Sequence, residues 1–305
     1  MKLLRDLTDV PDELRLGALT IGNFDGVHLG HARLIERLID LAGHAGGPAV
    51  VFTFDPHPVR LLRPERAPWP LTWTDRKAEL LGRLGVDWII AYPTDEDLLA
   101  LSDREFFQRI VRDKLDARAM VEGPNFFFGR GRTGNIDVLG KLTSAAGMQL
   151  EIVEPVVIDG AIVSSSRVRE LISAGKVAEA CRLLTEPYRI RGIVTHGAGR
   201  GVRIGFPTAN LAGIDTLLPG VGVYGGTAML DGRRWPAAIN VGANPTFGEH
   251  EVKVEVHLVD FHGVLYGQPL EVDFVSRLRD VRPFAGVDEL KQQLARDIQA
   301  AKALL

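Results

Sequence analysis

Short apolar segments alternate with amphipathic helical segments between Leu16 and about Glu154, and this alternation most strongly limits how the chain can fold. It is typical of βα units, in which helices connect the strands of a mostly parallel sheet. Ser102 and Glu105 have the spacing of a helix capping box, and apolar residues follow them at helical intervals. The predicted strands are Leu16–Ile21, Ala49–Phe54, Val86–Ala91, Ala119–Glu122 and Gln149–Val153. An α/β domain is therefore expected here.

The character of the sequence changes near residue 186, where Glu186-Pro187 ends a serine-rich and then helical segment. Beyond it, glycines and prolines separate short β-rich segments, which favours a small antiparallel β-barrel. A terminal amphipathic helix is indicated by apolar residues from Leu290 to Ala301. The predicted strands are Arg189–Thr195, Val221–Leu230, Trp235–Val241 and Val252–Val259. We therefore expect two domains, residues 1–185 and 186–305.

The composition is that of an ordinary globular protein, with 46% hydrophobic and 25% charged residues in a chain of 305. A formal net charge of -3 argues against a nucleic-acid partner, because phosphate binding needs an excess of basic residues. Cys181 is the only cysteine, so an intramolecular disulfide is excluded and a reducing compartment is favoured. No segment offers the ~20 apolar residues of a membrane span. We expect a cytoplasmic protein without a membrane partner, and a homo-oligomer is compatible with this composition.

The first predicted strand leads directly into Gly22-Asn23-Phe24-Asp25-Gly26-Val27-His28-Leu29-Gly30-His31, and a helical pattern follows. Free backbone N–H groups at a helix N-terminus bind anions, and glycines allow close backbone approach. His28 and His31 can share one face of the first helical turn and donate hydrogen bonds to phosphate oxygens. The pattern therefore indicates a phosphate site. Two alternatives stay open: a tight turn with capping histidines, or a His-x-x-His metal site.

This decapeptide resembles the "HIGH"-type signature of α/β nucleotidyltransferases, in the form found in bacterial FAD synthetases. Three further segments match that family in order: Thr53–Pro58, Gly123–Gly129 and Ser164–Arg169. Asn125 and Ser166 stand where many members carry Asp and Thr, and both keep hydrogen-bonding capacity. The resemblance implies a Rossmann-like FMN adenylyltransferase domain in which His28 and His31 are catalytic. Its nucleotide-binding residues would be Gly22, Asn23, Phe24, Asp25, Gly26, Ser164, Ser165 and Arg169, and its flavin-binding residues Asp55, His57, Pro58, Asn125, Phe126 and Phe128.

The second half resembles riboflavin kinase through the segment Gly192–Asn210, which ends in Pro-Thr-Ala-Asn. Asn240–Phe247 and Arg279–Phe284 also match, although Val281 replaces an acid that is common in the family. In that family the glycine-rich stretch arches over ATP phosphates, so Gly197, Gly199, Gly201 and Gly205 would bind nucleotide. The resemblance further implies Thr208 and Asn210 at a magnesium ion, Glu255 as general base and Arg279 at the flavin. Without it, Glu255 would be interpreted as a solvent-facing residue beside Lys253.

Together the two resemblances imply a bifunctional enzyme with ATP and Mg²⁺. It would phosphorylate riboflavin to FMN and then adenylylate FMN to FAD. Three alternatives are kept: an active kinase joined to an inactive or regulatory nucleotidyltransferase domain, a transferase for another phosphorylated small molecule, and a non-enzymatic flavin carrier.

Overall fold

The computed structural model describes residues 1–197, 199–243 and 252–304. The chain divides into two compact units. The first contains residues 1–68 and 74–164, and the second contains residues 69–73 and 165–305. None of the helices in the described ranges is long and apolar enough to span a membrane.

The first unit is built on a six-stranded parallel sheet, whose strands are β1 (Lys2–Leu4), β2 (Ala18–Ile21), β3 (Ala49–Asp55), β4 (Trp88–Pro93), β5 (Ala119–Glu122) and β6 (Gln149–Ile152). Their order in the sheet is β1-β4-β3-β2-β5-β6. The chain runs from β2 outwards to β3 and β4, and then crosses back to β5 on the other side of β2. In open α/β sheets, ligands bind outside the carboxyl ends of the strands at such a switch point. The crevice beyond β2 and β5 is thus where a site is expected.

Helices cover both faces of this sheet. They are α1 (Leu29–Ala45), α2 (Pro58–Leu62), α3 (Thr74–Arg83), α4 (Glu96–Ala100), α5 (Asp103–Phe106) with a π-helical continuation over Phe107–Lys114, and α6 (Ile136–Ala145). The side chains of β2 alternate between two hydrophobic clusters, with Leu19 and Ile21 in one and Ala18 in the other. Ser102 and Glu105 form the expected capping box at the start of α5.

The short hairpin of β7 (Val157–Ile158) and β8 (Ala161–Ile162) ends the strands of the first unit. The second unit is a closed six-stranded antiparallel barrel, whose strands are β9 (Tyr188–Thr195), β10 (Ala209–Ala212), β11 (Gly222–Leu230), β12 (Arg233–Gly242), β13 (Lys253–Leu258) and β14 (Pro269–Arg279). Their order around the barrel is β10-β13-β12-β11-β14-β9. Its helices are α7 (Ser165–Ser173), α8 (Val177–Cys181), the short α9 (Arg200–Ile204) and the terminal α10 (Val287–Lys302). Both domain architectures predicted from the sequence are confirmed.

A buried ion pair joins the neighbouring barrel strands β9 and β14. Arg189 is 6% exposed and donates to both oxygens of Asp273 at 2.6 and 2.8 Å, and Asp273 is 2% exposed. Thr227 of β11 adds a hydrogen bond to Asp273 at 3.1 Å. Gly226 is required beside this group, because a Cβ there would lie 1.9 Å from the Asp273 carbonyl oxygen.

The segment before the barrel packs with the barrel unit. Cys181, at the end of α8, lies 3.4 Å from the Phe274 carbonyl oxygen of β14. The residues 69–73 join the same unit, because Leu217 N–H donates to the Pro70 carbonyl at 2.9 Å and the Arg191 guanidinium lies 4.7 Å from the centre of the Trp73 ring. The second unit therefore contains residues 69–73 and the chain from Ser165 onwards. The limit at 185/186 stays a prediction for independently folding fragments.

Candidate active sites

The loop between β2 and α1 places the two histidines at the helix N-terminus. His28 is the N-cap residue of α1, and its Nδ1 accepts from the His31 backbone N–H at 3.3 Å. In return, the His31 Nδ1 accepts from the His28 backbone N–H at 3.3 Å. Because each Nδ1 acts as an acceptor, the proton of each neutral ring is on Nε2. The capping role and the phosphate-donor role predicted from the sequence are therefore compatible.

The two imidazole rings stack with a centroid distance of 3.6 Å and an interplanar angle of 15°. Burial holds the pKa of His31 well below its ordinary value, and the charges of His28 and Lys77 lower it further. A neutral His31 with its proton on Nε2 is a hydrogen-bond donor at neutral pH. Among the residues that the structure describes, no cluster of three or more His, Cys, Asp or Glu side chains could hold a metal ion. The His-x-x-His motif thus lacks further ligands of these types.

The backbone of this loop is held in unusual conformations. Phe24 and Val27 have φ angles of +47° and +40°, which cost about 1–3 kcal/mol each in non-glycine residues. Gly26 has a φ of +82°, where glycine is favoured. A Cβ on Gly30 would lie 3.1 Å from the His28 ring. Strained backbone of this kind persists where the surrounding structure holds it, and it is frequent at binding sites.

Loops after β3 and β5 lie at the same carboxyl edge of the sheet. Asp55 ends β3 and accepts a hydrogen bond from the Thr74 hydroxyl. His57 caps α2 by accepting from the Val59 N–H at 3.1 Å, and Pro58 is the first residue of that helix. Asn125 is exposed in the loop after β5. The flavin-binding residues that the sequence predicts in the loops after β3 and β5 therefore lie at the same carboxyl edge of the sheet.

The aromatic residues of the β5 loop differ in their surroundings. Phe126 and Phe128 stack at 5.4 Å, but Phe128 is only 7% exposed and packs against Phe106 at 6.1 Å. The packing of Phe128 in the core accounts for its residue type, and its contact with a flavin stays a prediction. Phe127 is 45% exposed, with the Arg132 guanidinium 4.5 Å from its ring centre.

Ser164 is the last residue of the first unit, and Ser165 begins α7 in the second unit. The Nε of Arg169, also on α7, donates to the Trp69 carbonyl at 3.0 Å within that second unit. The helix that the sequence predicts at these serines is therefore present. Their role in nucleotide binding stays a prediction.

One cavity of the barrel unit brings together most residues predicted for the kinase site. It is lined by Gly197, Gly199, Gly201, Thr208, Asn210, Glu255 and Arg279. Asn210 of β10 pairs directly with Glu255 of β13. Residues opposite each other in antiparallel strands project on the same face, so the amide and the carboxylate stand side by side. Gly205 is not a lining residue and instead ends α9 with a φ of +90°.

Other groups approach the backbone of two glycines at this cavity closely. A Cβ on Gly197 would lie 2.2 Å from the Asn210 Nδ2, and a Cβ on Gly201 would lie 2.3 Å from the Phe206 carbonyl oxygen. His257 donates from Nδ1 to the Pro207 carbonyl at 2.7 Å and so holds the segment before Thr208. Ala198 and residues 244–247 of the matched segments lie outside the described residues.

Apolar side chains of α10 form part of the wall of the same cavity. Leu290, Leu294 and Ile298 line it together with Phe284. The Nε of Arg279 donates to both carboxylate oxygens of Asp297 at 3.1 Å, and its Nη2 donates to Oδ2 at 2.8 Å. Asp297 is 3% exposed. The guanidinium is thus fixed beside an apolar surface that could accept a planar ring.

Comparisons with known proteins agree with this geometry. A family model described as FAD synthetase matches residues 11–167, and one described as riboflavin kinase matches residues 184–305. A bifunctional riboflavin kinase/FMN adenylyltransferase of Pseudomonas fluorescens is 38% identical over 305 residues, which covers 100% of this chain and 98% of the relative. The chain belongs to the bifunctional riboflavin kinase/FMN adenylyltransferase family.

Other relatives extend this similarity. Proteins of the same name from Escherichia coli K12 and Bacillus subtilis are 34% and 33% identical, over 99% and 96% of this chain and 97% and 93% of their own lengths. A crystal structure from Streptococcus pneumoniae, described as a macrolide-efflux protein, has a TM-score of 0.88 at 30% identity, covering 99% of this chain and 98% of that chain. The resemblance stated from the motifs is thus confirmed over the full length.

Sequence reasoning missed three buried charged residues at these sites. Asp297, the partner of Arg279, lies on the predicted terminal helix without any motif around it. In the FAD synthetase domain, Glu122 is 2% exposed and accepts from the Ile21 N–H at 2.8 Å, and burial raises its pKa well above the ordinary value. Lys77 of α3 is 7% exposed. An acid at the end of an apolar strand could have signalled Glu122, whereas no pattern signals Lys77.

Proposed function

We propose that this chain transfers the γ-phosphate of ATP to riboflavin in the barrel unit, and then transfers the AMP group of a second ATP to FMN at the loop after β2. The products are FMN and ADP in the first reaction, and FAD and pyrophosphate in the second. The observation that carries the proposal is one cavity that is lined by Thr208, Asn210 and Glu255, by the glycine-rich segment and by apolar side chains of α10.

In the kinase reaction, the oxygen of the ribityl 5'-hydroxyl would attack the γ-phosphorus of ATP, and Glu255 would accept the proton of that hydroxyl. The bond between the γ-phosphorus and the oxygen of the β-phosphate would break, and ADP would leave. The apolar side chains of Phe284 and α10 would pack against the isoalloxazine ring, with Arg279 held by Asp297 beside it. The glycines at 197, 199 and 201 would let the backbone approach the phosphates.

A magnesium ion fits the donor set of this cavity. Thr208, Asn210 and Glu255 offer a hydroxyl, an amide oxygen and a carboxylate, and Mg²⁺ prefers oxygen ligands from one or two protein groups plus substrate phosphates. Thr208 and Asn210 would hold the ion. When bound, it would neutralise the charge that develops on the phosphates.

In the adenylylation, a phosphate oxygen of FMN would attack the α-phosphorus of ATP, and the bond to the β-phosphate would break with release of pyrophosphate. The Nε2–H groups of His28 and His31 and the free N–H groups of α1 would donate to the charged oxygens. Gly22, Asn23, Phe24, Asp25 and Gly26 would surround the nucleotide, with Ser164 contributing to it. Asp55, His57, Pro58, Asn125 and Phe126 would contact FMN.

The domain limits 1–185 and 186–305 belong to the same proposal, as does action in the cytoplasm without a nucleic-acid or membrane partner. Support for the cytoplasm comes from the single cysteine, which favours a reducing compartment. A homo-oligomer is compatible with this proposal, and a measurement of the mass in solution tests it.

Chromatography of the flavins formed from riboflavin, ATP and Mg²⁺ tests the proposal. We expect FMN to appear first and FAD to follow. FMN without FAD would indicate an inactive adenylyltransferase site, and riboflavin that stays bound and unchanged would indicate a carrier.

A further inference from the structure

Lys77 connects three elements of the first unit. Its Nζ donates to the Thr53 Oγ1 at 3.2 Å, and the Thr53 hydroxyl donates to the Asn23 carbonyl at 3.1 Å. One hydroxyl can accept and donate at the same time, so both hydrogen bonds can form together. The bridge Lys77–Thr53–Asn23 therefore runs from α3 through β3 to the loop that precedes α1.

The bridge is buried. Lys77 is 7% exposed and Thr53 is 1% exposed. Lysine is rarely buried without a charged or hydrogen-bonding partner, because its ammonium loses hydration. Asp25 and Asp55 are the negative groups whose charges act on this ammonium. Asp25 lies in the same loop as Asn23. Lys77 therefore interacts with this loop in two ways: electrostatically with Asp25, and by hydrogen bonds through Thr53.

The loop needs such external contacts. Phe24 and Val27 keep φ angles of +47° and +40° on either side of Gly26, conformations that a loop without supporting contacts would leave. Asn23 comes directly before Phe24, and the Thr53 hydrogen bond holds its carbonyl. The charge of Lys77 also reaches His31, whose pKa it helps to lower.

We propose that Lys77 is a positioning residue for adenylyl transfer, which acts through Thr53 to hold the Asn23 carbonyl and so fixes the loop that presents the histidines to phosphate. This inference rests on the proposed adenylyltransferase function. Lys77 would not touch the substrate. It would act on the rate by keeping the donors of the loop in the reactive geometry, where displacements of about 1 Å can cost about 10²-fold in rate.

Four single variants test the bridge in the full-length chain. Lys77→Met removes the ammonium and keeps the length, Thr53→Val removes the hydroxyl and keeps the shape, and Thr53→Ser restores the hydroxyl. Arg83→Met is the matched control, since it removes a cation from the exposed end of the same helix. Rates of FAD formation from FMN and of FMN formation from riboflavin are measured for each, with urea unfolding to check the fold.

We expect Lys77→Met and Thr53→Val to lower kcat for FAD formation by about 10- to 100-fold, with less than about a threefold change in KM for FMN. Thr53→Ser and Arg83→Met should stay within about threefold of the wild type, and FMN formation should be unchanged in all four. The double variant Lys77→Met/Thr53→Val should be no slower than the slower single variant, because both remove the same bridge.

A folded Lys77→Met or Thr53→Val chain with adenylylation within about twofold of the wild type would overturn the inference. So would a double variant whose losses multiply, or a Thr53→Ser variant as slow as Thr53→Val. These outcomes leave the proposed function standing. A wild-type chain that makes no FAD from FMN overturns the proposed adenylylation and this inference together.

Discussion

Replacing Glu255 by Gln tests the kinase site at the one atom that would accept a proton. The variant keeps the size and a hydrogen-bonding carbonyl but loses the basic carboxylate. Glu255 projects from β13 into the cavity, whereas its neighbours Val254 and Val256 are 2% and 0% exposed on the other face. Because the core side of the strand is unchanged, the free energy of unfolding should change by less than about 0.5 kcal/mol.

The rate should change much more than the stability. General base catalysis contributes about 10²- to 10⁴-fold, which is about 2.7–5.4 kcal/mol of transition-state stabilisation at about 1.36 kcal/mol per factor of ten. We expect FMN formation from riboflavin to fall within that range in Glu255→Gln, while FAD formation from supplied FMN stays at the wild-type rate.

The assay is the initial rate of each product by chromatography at saturating ATP. Glu179→Gln is the matched control, because it makes the same chemical change on α8 outside the cavity. A Glu255→Gln chain with full kinase activity would refute the role of the carboxylate. Loss of both activities would instead indicate structural damage.

Three further predictions address the other site, the pH dependence and the domain limits. His28→Asn or His31→Asn keeps a side-chain oxygen for the helix cap but loses the Nε2–H, so FAD formation should fall by about 10²- to 10³-fold while FMN formation persists; unchanged FAD synthesis in the folded double variant would contradict the assignment. Burial raises the pKa of Glu122, so the wild type loses stability as the pH rises from the pKa of the unfolded chain towards that of the folded chain. Over this range the stability of Glu122→Gln should increase relative to the wild type by at most about 1.4 kcal/mol per pH unit, measured by urea unfolding. A pH-independent difference between the two would show that Glu122 ionises normally. A fragment that starts at Pro187 should form FMN and no FAD, and a folded but inactive fragment would show that the kinase site needs residues before 187.

Much of the fold follows from local patterns in the sequence. The strand at Ala119–Glu122 has the bounds that the sequence predicts, because three apolar residues stand between Arg118 and Glu122-Gly123. The alternation expected around Glu255 is present, with Val254, Val256 and Leu258 buried. Such signals depend only on neighbouring residues.

Elements defined by distant partners could not be predicted in the same way. β1 has three residues and exists as a strand through its pairing with Trp88–Ile90. β14 carries Asp273 at a buried position, which is tolerated because Arg189 lies opposite on β9, 84 residues earlier. The reciprocal hydrogen bonds of His28 and His31 and the bridge from Lys77 likewise depend on three-dimensional geometry, so the motif predicted the residues of the loop but not how it is held.

The most direct test of two reactions on one chain is to follow labelled phosphate from ATP into the flavins. With riboflavin and Mg²⁺, label from the γ-phosphate should enter FMN and be retained in FAD, whereas label from the α-phosphate should enter FAD alone. Absence of γ-label from FMN would contradict the kinase half of the account, and absence of α-label from FAD would contradict the adenylyltransferase half.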